Sequence, residues 1–323
     1  NLSTRFSKKR VLQVLILIWM AALALFAFTS NYTVLLIGMA LALGSSTLLN
    51  TTMNLITPLL FATAPGFLVN FLFFTQEIGT SGSQYILGSH ANGFAFWQHT
   101  NLVLLILGAV AFVLLLFCNV PEEAAAPADA PAQKGGYDWR IIVPYVLVFG
   151  FYFIAEHGVM NWMVAYGVDG LGLPQASAAK YLSVFFGGMM IGRLCLSPLV
   201  DKLGALKSLA AFGGVSCVLY LIGSLGGAVT MPVWAISGLS FSILYPTLVM
   251  SIRLYFPAQQ VSGAAGTILS IASLADILFN VGFGKLVDMT GYAVSIRVLP
   301  LSALAFFLSL IHISEPTRLG MIS

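Results

Sequence analysis

Apolar positions in this chain run in ten long stretches separated by short polar loops, near residues 11–29, 34–61, 66–88, 100–118, 140–165, 178–200, 208–225, 231–252, 263–285 and 294–311. The hydrocarbon core of a bilayer takes about 20 apolar residues of helix, so each stretch is long enough to cross it. From Val11 to Phe28 polar and apolar positions do not alternate, which argues against the strands of about ten residues that build a transmembrane barrel. Helices also satisfy their own backbone hydrogen bonds where water is absent. The pattern therefore predicts an all-α polytopic membrane protein, with about ten transmembrane helices in this chain.

A constant offset of 197 positions relates the first half to the second without a gap. It carries the basic loop from Leu2 to Leu12 onto the one from Leu199 to Leu209, Gly66 onto Gly263, and the polar pair Asn50 and Asn54 onto Thr247 and Ser251. Two repeats follow, joined by a segment from Asn119 to Asp138 that is rich in Ala and Pro and too polar to pack. The organisation expected is an amino-terminal bundle at 1–118, a cytoplasmic linker at 119–139 and a carboxy-terminal bundle at 140–311. Residues 312–323 form a tail whose composition changes abruptly; it is read as extraneous and given no function. Two spans lie between Arg140 and Asp201, whereas the equivalent loop of the first half is already at residue 4. About sixty residues, or two helices, are thus expected to precede this sequence in a twelve-helix protein, of which helices 3–6 and 7–12 are present.

Composition supports the class. Hydrophobic residues make up 59% and charged residues 8%, against roughly 25% charged in soluble domains, and the mean hydropathy is +0.96. The net charge of +3 reflects topology. Threaded alternately through a membrane, Arg5, Lys8, Lys9, Arg10, Lys134, Arg140, Lys202, Lys207 and Arg253 fall on or near one side, with Arg193 leaning towards it, and Lys180, Lys285 and Arg297 fall towards the other. The rich side is cytoplasmic by the positive-inside rule. The expected location is the plasma membrane, a bacterial inner membrane, with the linker and the termini of the full-length protein in the cytoplasm. No basic stripe forms, so nucleic acid is excluded as a partner.

Cys118, Cys195 and Cys217 lack metal-ligand spacing and read as reduced, small hydrophobes. His90, His99, His157 and His312 are scattered, and there is no Walker loop and no H-E-x-x-H. The reading is of a protein that is not an enzyme and has no metal and no cofactor.

Ser197-Pro198-Leu199-Val200-Asp201-Lys202-Leu203-Gly204-Ala205-Leu206-Lys207 resembles the loop that follows the second and eighth helices in the major facilitator superfamily, approximately G-x-x-x-D-R/K-x-G-x-x-R/K. It departs at Ser197. Leu2 to Arg10 is a worn copy, with Thr4 for the acid and Ser7 for the glycine. Independently of the family, Gly204 permits a tight turn, Asp201 suits the positive end of the next helix or a pairing with Arg193, and Lys202 and Lys207 suit an anionic lipid surface. Arg193, Asp201, Lys202, Gly204 and Lys207 are the candidate gate; the alternative is an ordinary positive-inside loop.

The stretch Phe151 to Trp162 with Tyr166, and Gly238 to Thr247, are similar to the seventh and tenth helices of the superfamily's fucose-permease-like sugar branch, which includes TsgA-type permeases. The resemblance implies two pseudo-symmetric six-helix bundles and sugar/proton symport by alternating access. The partners implied are a small polar solute, protons and the bilayer, and the protein is expected to be a monomer. An exporter, a permease for another solute, or a transporter-like sensor that does not transport are the alternatives.

Ionised groups at mid-membrane cost at least about 2.5–3.5 kcal/mol, so they face a cavity or a partner. Glu77, Glu156 and Asp276 meet that description and are the proton-coupling candidates, against the alternative of helix-packing hydrogen bonds. Glu77 shares a helical face with Asn70 and Gln84, Asp276 is joined by Ser273 and Asn280, and the offset of 197 brings Asp276 to within two residues of Glu77. Glu156 has His157, Asn161 and Trp162 close by. Trp162, Tyr166 and Tyr245 suit stacking on a sugar ring while Asn161, Gln76 and Glu156 bind hydroxyls; aromatic residues near helix ends also form interfacial belts. Thr47, Asn50, Thr51, Asn54 and Thr57 make a polar stripe that either lines the path or bonds to a neighbouring helix. The candidate substrate-binding set is Asn50, Asn54, Gln76, Glu156, Asn161, Trp162 and Tyr245.

Overall fold

The computed structural model describes residues 7–60, 65–90, 93–120, 137–256 and 258–314. Within the helices, the side chains of Asn54, Asn70 and Asp201, expected site residues or their neighbours, lie outside the described residues.

All regular structure among the described residues is helical. The helices are α1 (Lys8–Phe28), α2 (Tyr32–Leu60), α3 (Pro65–His90), α4 (Phe94–Phe117), α5 (Trp139–Ala165), α6 (Gln175–Leu203), α7 (Ala205–Leu225), α8 (Met231–Ile236), α9 (Gly238–Phe241), α10 (Leu244–Ile252), α11 (Ala258–Thr290), α12 (Tyr292–Ser295) and α13 (Leu299–Ser314). Nine segments among the described residues are long and apolar enough to cross a membrane; those from α8 to α10 and from α12 to α13 each act as one span. The tenth expected span corresponds to α3, a helix of 26 residues.

Contacts divide the chain into two units, Asn1–Phe73 with Ala91–Gln133, and Phe74–His90 with Lys134–Ser323. In the first, α1 packs on α2 and on α4. Phe26 meets the Trp97 ring at 5.2 Å, and Trp19 and Met20 close over Gly108. Lys9 Nζ donates to the Leu116 carbonyl at 2.9 Å, serving an orphan acceptor at the negative end of α4. The outer face of α4 presents Val103, Ile106, Leu107, Val110, Val113, Leu114 and Phe117, a surface suited to lipid.

In the second unit α5 is central and packs against α11 and α13. Asp138 caps it, accepting from the Arg140 amide at 2.9 Å. Its buried positions include Ile142, Tyr145, Phe149, Tyr152, Val159 and Met163. Between helices in lipid the gain comes from close packing and hydrogen bonds, since lipid tails are as apolar as leucine. Small residues supply that closeness along α3 and α6. Ser81 Oγ donates to the Ser183 carbonyl at 2.9 Å and Ser183 Oγ returns the bond to the Ser81 carbonyl at 2.8 Å, while Gly88 lies against Ala179.

The span from Met231 to Ile252 is broken twice. Gly238 sits so close to the Phe185 carbonyl of α6 that a Cβ would collide with it. Ser237, Ser240 and Ser242 hydroxyls donate to the carbonyls of Trp234, Ser237 and Leu239 at 2.6, 2.9 and 2.7 Å, supplying donors where the helical ladder is interrupted. α6 contains Pro198 and ends at Gly204, whose φ of 82° is the left-handed backbone that turns the chain directly into α7.

Candidate functional site

Polar side chains meet in the second unit where α5 faces α11. His157 Nδ1 lies 2.6 Å from Asp276 Oδ2. One turn further along α11, Asn280 Nδ2 donates to Asp276 Oδ1 at 2.9 Å and to the Asp276 carbonyl at 3.0 Å. Asn280 Oδ1 in turn accepts from Trp162 Nε1 at 2.9 Å and from Asn161 Nδ2 at 3.1 Å. An indole N–H can only donate, so Trp162 fixes which end of the Asn280 amide is oxygen. The spacing of four between 276 and 280 is what lets the amide fold back on its own acid.

A second charged pair joins α3 to α6. Arg193 Nη1 lies 2.5 Å from Glu77 Oε1, and Thr80 Oγ1 donates to Glu77 Oε2 at 2.8 Å. Glu77 and Arg193 are both buried. Glu156, on α5 beside His157, is buried as well and lies within the electrostatic reach of His157, Arg193, Tyr152 and Glu77. The two pairs and Glu156 therefore form one charged cluster.

Aromatic rings wall this cluster. Phe153 stacks on His157 at 5.5 Å and 5° between planes, Tyr245 of α10 stacks on Tyr152 at 6.3 Å, and Trp162 leans on Phe283 at 4.9 Å. Tyr152 Oη is fully buried beside Glu156. An arrangement of this kind offers a ring face, an amide, a half-exposed imidazole and a buried acid side by side. It can hold a polar solute and hold or release a proton, but it presents no nucleophile activated by a base. Among the described residues no three His, Cys, Asp or Glu side chains stand together as metal ligands.

Of the residues expected from the sequence, Glu77, Glu156, Asn161, Trp162, Tyr245, Asp276 and Arg193 come together here. Gln76 is exposed beside Glu77, and Gln84 is half-buried. Asn50 is exposed in the first unit, on α2, where Thr47 donates to the Leu43 carbonyl at 2.8 Å. Arg193 pairs with Glu77; Lys202 and Lys207 are exposed on either side of the Gly204 corner. His157 as the partner of Asp276, Thr80 as a ligand of Glu77, and Tyr152 were not singled out from the sequence. Thr80 was within reach of sequence reasoning, since it stands three residues from Glu77 on one helical face.

Residues 1–275 match the profile of the Major Facilitator Superfamily. The chain belongs to that superfamily, a family of membrane transporters and not of enzymes, and it is a multi-pass membrane protein. A glucose/galactose transporter of Brucella abortus is 28% identical over 190 residues, 57% of this chain and 44% of the relative. The chain thus aligns with somewhat less than half the length of that curated relative. Among solved structures, the E. coli fucose:proton symporter FucP is 18% identical with a TM-score of 0.67, covering 96% of this chain and 85% of that one. A peptide transporter, POT, is 14% identical with a TM-score of 0.72, covering 97% and 80%. At such identities the likeness is one of fold, and the same fold serves a sugar transporter and a peptide transporter.

Proposed function

We propose that the protein is a secondary active transporter of a small polar solute, a sugar/proton symporter that works by alternating access between two pseudo-symmetric bundles, 1–118 and 140–311, joined by a cytoplasmic linker at 119–139. The observation that carries this reading is the cluster of Glu156, His157, Asn161, Trp162, Tyr245, Asp276 and Asn280: buried ionisable groups beside aromatic faces and amides, in a protein made for the membrane. Buried charge at that depth marks substrate or proton pathways, and sugars are bound by amides and carboxylates on their hydroxyls with aromatic rings on their faces. The likeness to a Brucella glucose/galactose transporter supports a hexose as cargo, and the likeness to a fucose:proton symporter supports a proton as the coupling ion.

In this reading Glu156, Asn161, Trp162 and Tyr245 bind the solute, with Gln76, Asn50 and Asn54 as further polar contacts along the path. Glu77, Glu156 and Asp276 are the coupling acids, and Arg193, Asp201, Lys202, Gly204 and Lys207 belong to the gate. The protein acts as a monomer in the inner membrane, with its basic loops cytoplasmic.

The test is uptake of a labelled sugar panel into vesicles bearing the full-length protein, with and without an inward proton gradient, comparing Glu156→Gln with the parent. Gradient-driven uptake of one sugar, lost in the variant, is the expected result. Absence of uptake of every sugar under both conditions removes sugar symport and leaves another solute, export, or a sensor that does not transport.

A further inference from the structure

Charge is out of balance around Glu156. Three carboxylates, Glu77, Glu156 and Asp276, are exposed by no more than 5, 9 and 6%. Facing them among the described residues are one guanidinium, Arg193, and one imidazole, His157. Arg193 is held by Glu77 and His157 by Asp276. Glu156 makes no ion pair among the described residues. With all three acids ionised and His157 protonated, the cluster carries one negative charge in excess, and an uncompensated charge in apolar protein is removed by taking up a proton.

The groups that face Glu156 are Tyr152 and His157 on α5 itself, Arg193 on α6, Glu77 on α3, Tyr245 on α10 and, through His157, Asp276 on α11. On α7, Tyr220 Oη is occupied at the Ala155 carbonyl at 3.1 Å. The phenols of Tyr152 and Tyr245 each lie in the field of Glu156 and of Arg193 at once.

We infer that Arg193 passes between Glu77 and Glu156, so that one carboxylate holds the guanidinium while the other holds the proton. In the arrangement described here Glu77 holds Arg193 and Glu156 is a neutral carboxylic acid. When Arg193 crosses, the Glu156 O–H bond breaks, its proton leaves to water, the carboxylate takes the guanidinium, and Glu77 takes a proton from water on its freed oxygen. Charge and proton number are conserved across the exchange, but the acid that holds the proton changes helix, from α5 to α3. Tyr152 Oη supplies a donor to Glu156 once it ionises. Arg193 is then a positioning residue for the proton. The use of this exchange in symport rests on the transport reading above; its test does not.

The test is infrared spectroscopy of the purified full-length protein in lipid at neutral pH, reading the deuterium-sensitive C=O stretch of a protonated carboxyl group. The parent is expected to give one such band from the membrane interior, lost in Glu156→Gln. Glu77→Gln, in which Arg193 is released towards Glu156, is expected to lose the band although Glu156 is still present. Arg193→Gln is expected to double it, because Glu77 and Glu156 are then both neutralised by protons; this variant serves if Glu77→Gln does not fold. No band in the parent, or one that survives Glu156→Gln, overturns the assignment. A Glu156 band that persists in Glu77→Gln, or a single band in Arg193→Gln, overturns the exchange. The spectra require no cargo, so a negative result in sugar uptake and a negative result here are separate findings.

Discussion

His157 and Asp276 meet at 2.6 Å across 119 residues of sequence, tying the centre of α5 to the centre of α11. The imidazole side chain keeps 36% of its surface exposed while the carboxylate keeps 9%, so the pair is half solvated. Asp276→Asn is expected to destabilise by about 1–2 kcal/mol, below the 3–5 typical of breaking a fully buried pair. Thermal melting in detergent, with His157→Asn and the double variant, gives the coupling energy; additive single effects would deny the pair any role.

The Glu77–Arg193 pair is enclosed on both sides. Arg193→Leu leaves an acid and its Thr80 ligand in apolar surroundings, at a cost of about 3–5 kcal/mol. Replacing both residues by leucine is expected to recover most of that loss, since a buried pair exchanged for apolar side chains is often neutral. Chemical or thermal unfolding of the three variants measures it.

Two glycines should respond in opposite ways to one methyl group. At Gly238 a Cβ runs into the Phe185 carbonyl, backbone that has no room to yield, whereas at Gly82 nothing stands within 4 Å. Gly238→Ala is expected to cost about 1–3 kcal/mol or more, and Gly82→Ala to change stability by no more than about 0.5 kcal/mol. Melting temperatures compared under one set of conditions decide it.

Asn280 orients Asn161 and Trp162 through a single oxygen. Asn280→Ala leaves both donors without their acceptor, and under the transport reading proposed above the affinity for the transported sugar is expected to weaken about tenfold, equivalent to about 1.4 kcal/mol. Equilibrium binding to the purified full-length protein is the measurement. Unchanged affinity would move Asn161 and Trp162 out of the proposed solute site.

The sequence made the helices legible because crossing a bilayer leaves a long apolar run that nothing else produces, and the same logic made Glu77, Glu156 and Asp276 conspicuous. Partners were harder. His157 was visible only as a neighbour of Glu156, because the acid it serves lies on another helix, and no periodicity within α5 points across to position 276. Arg193 read as part of a loop motif near the membrane surface, since four of the motif's positions follow it closely; its partnership with Glu77 depends on how α3 and α6 lie against each other through Ser81, Ser183, Gly88 and Ala179. Tyr152 was one aromatic among many, and its significance comes from a buried hydroxyl beside an acid.

Pro198 leaves a weak point in α6. It cannot donate to the Leu194 carbonyl, so α6 lacks one rung a little more than a turn from Arg193, where helices bend most readily. Five residues of helix make an arm of about 7 Å, and a 20° change of angle at its base would swing the far end by roughly 2–3 Å. That displacement is comparable to the whole length of the Arg193–Glu77 contact. A bend of that size at Pro198 would therefore be enough to part the guanidinium from Glu77.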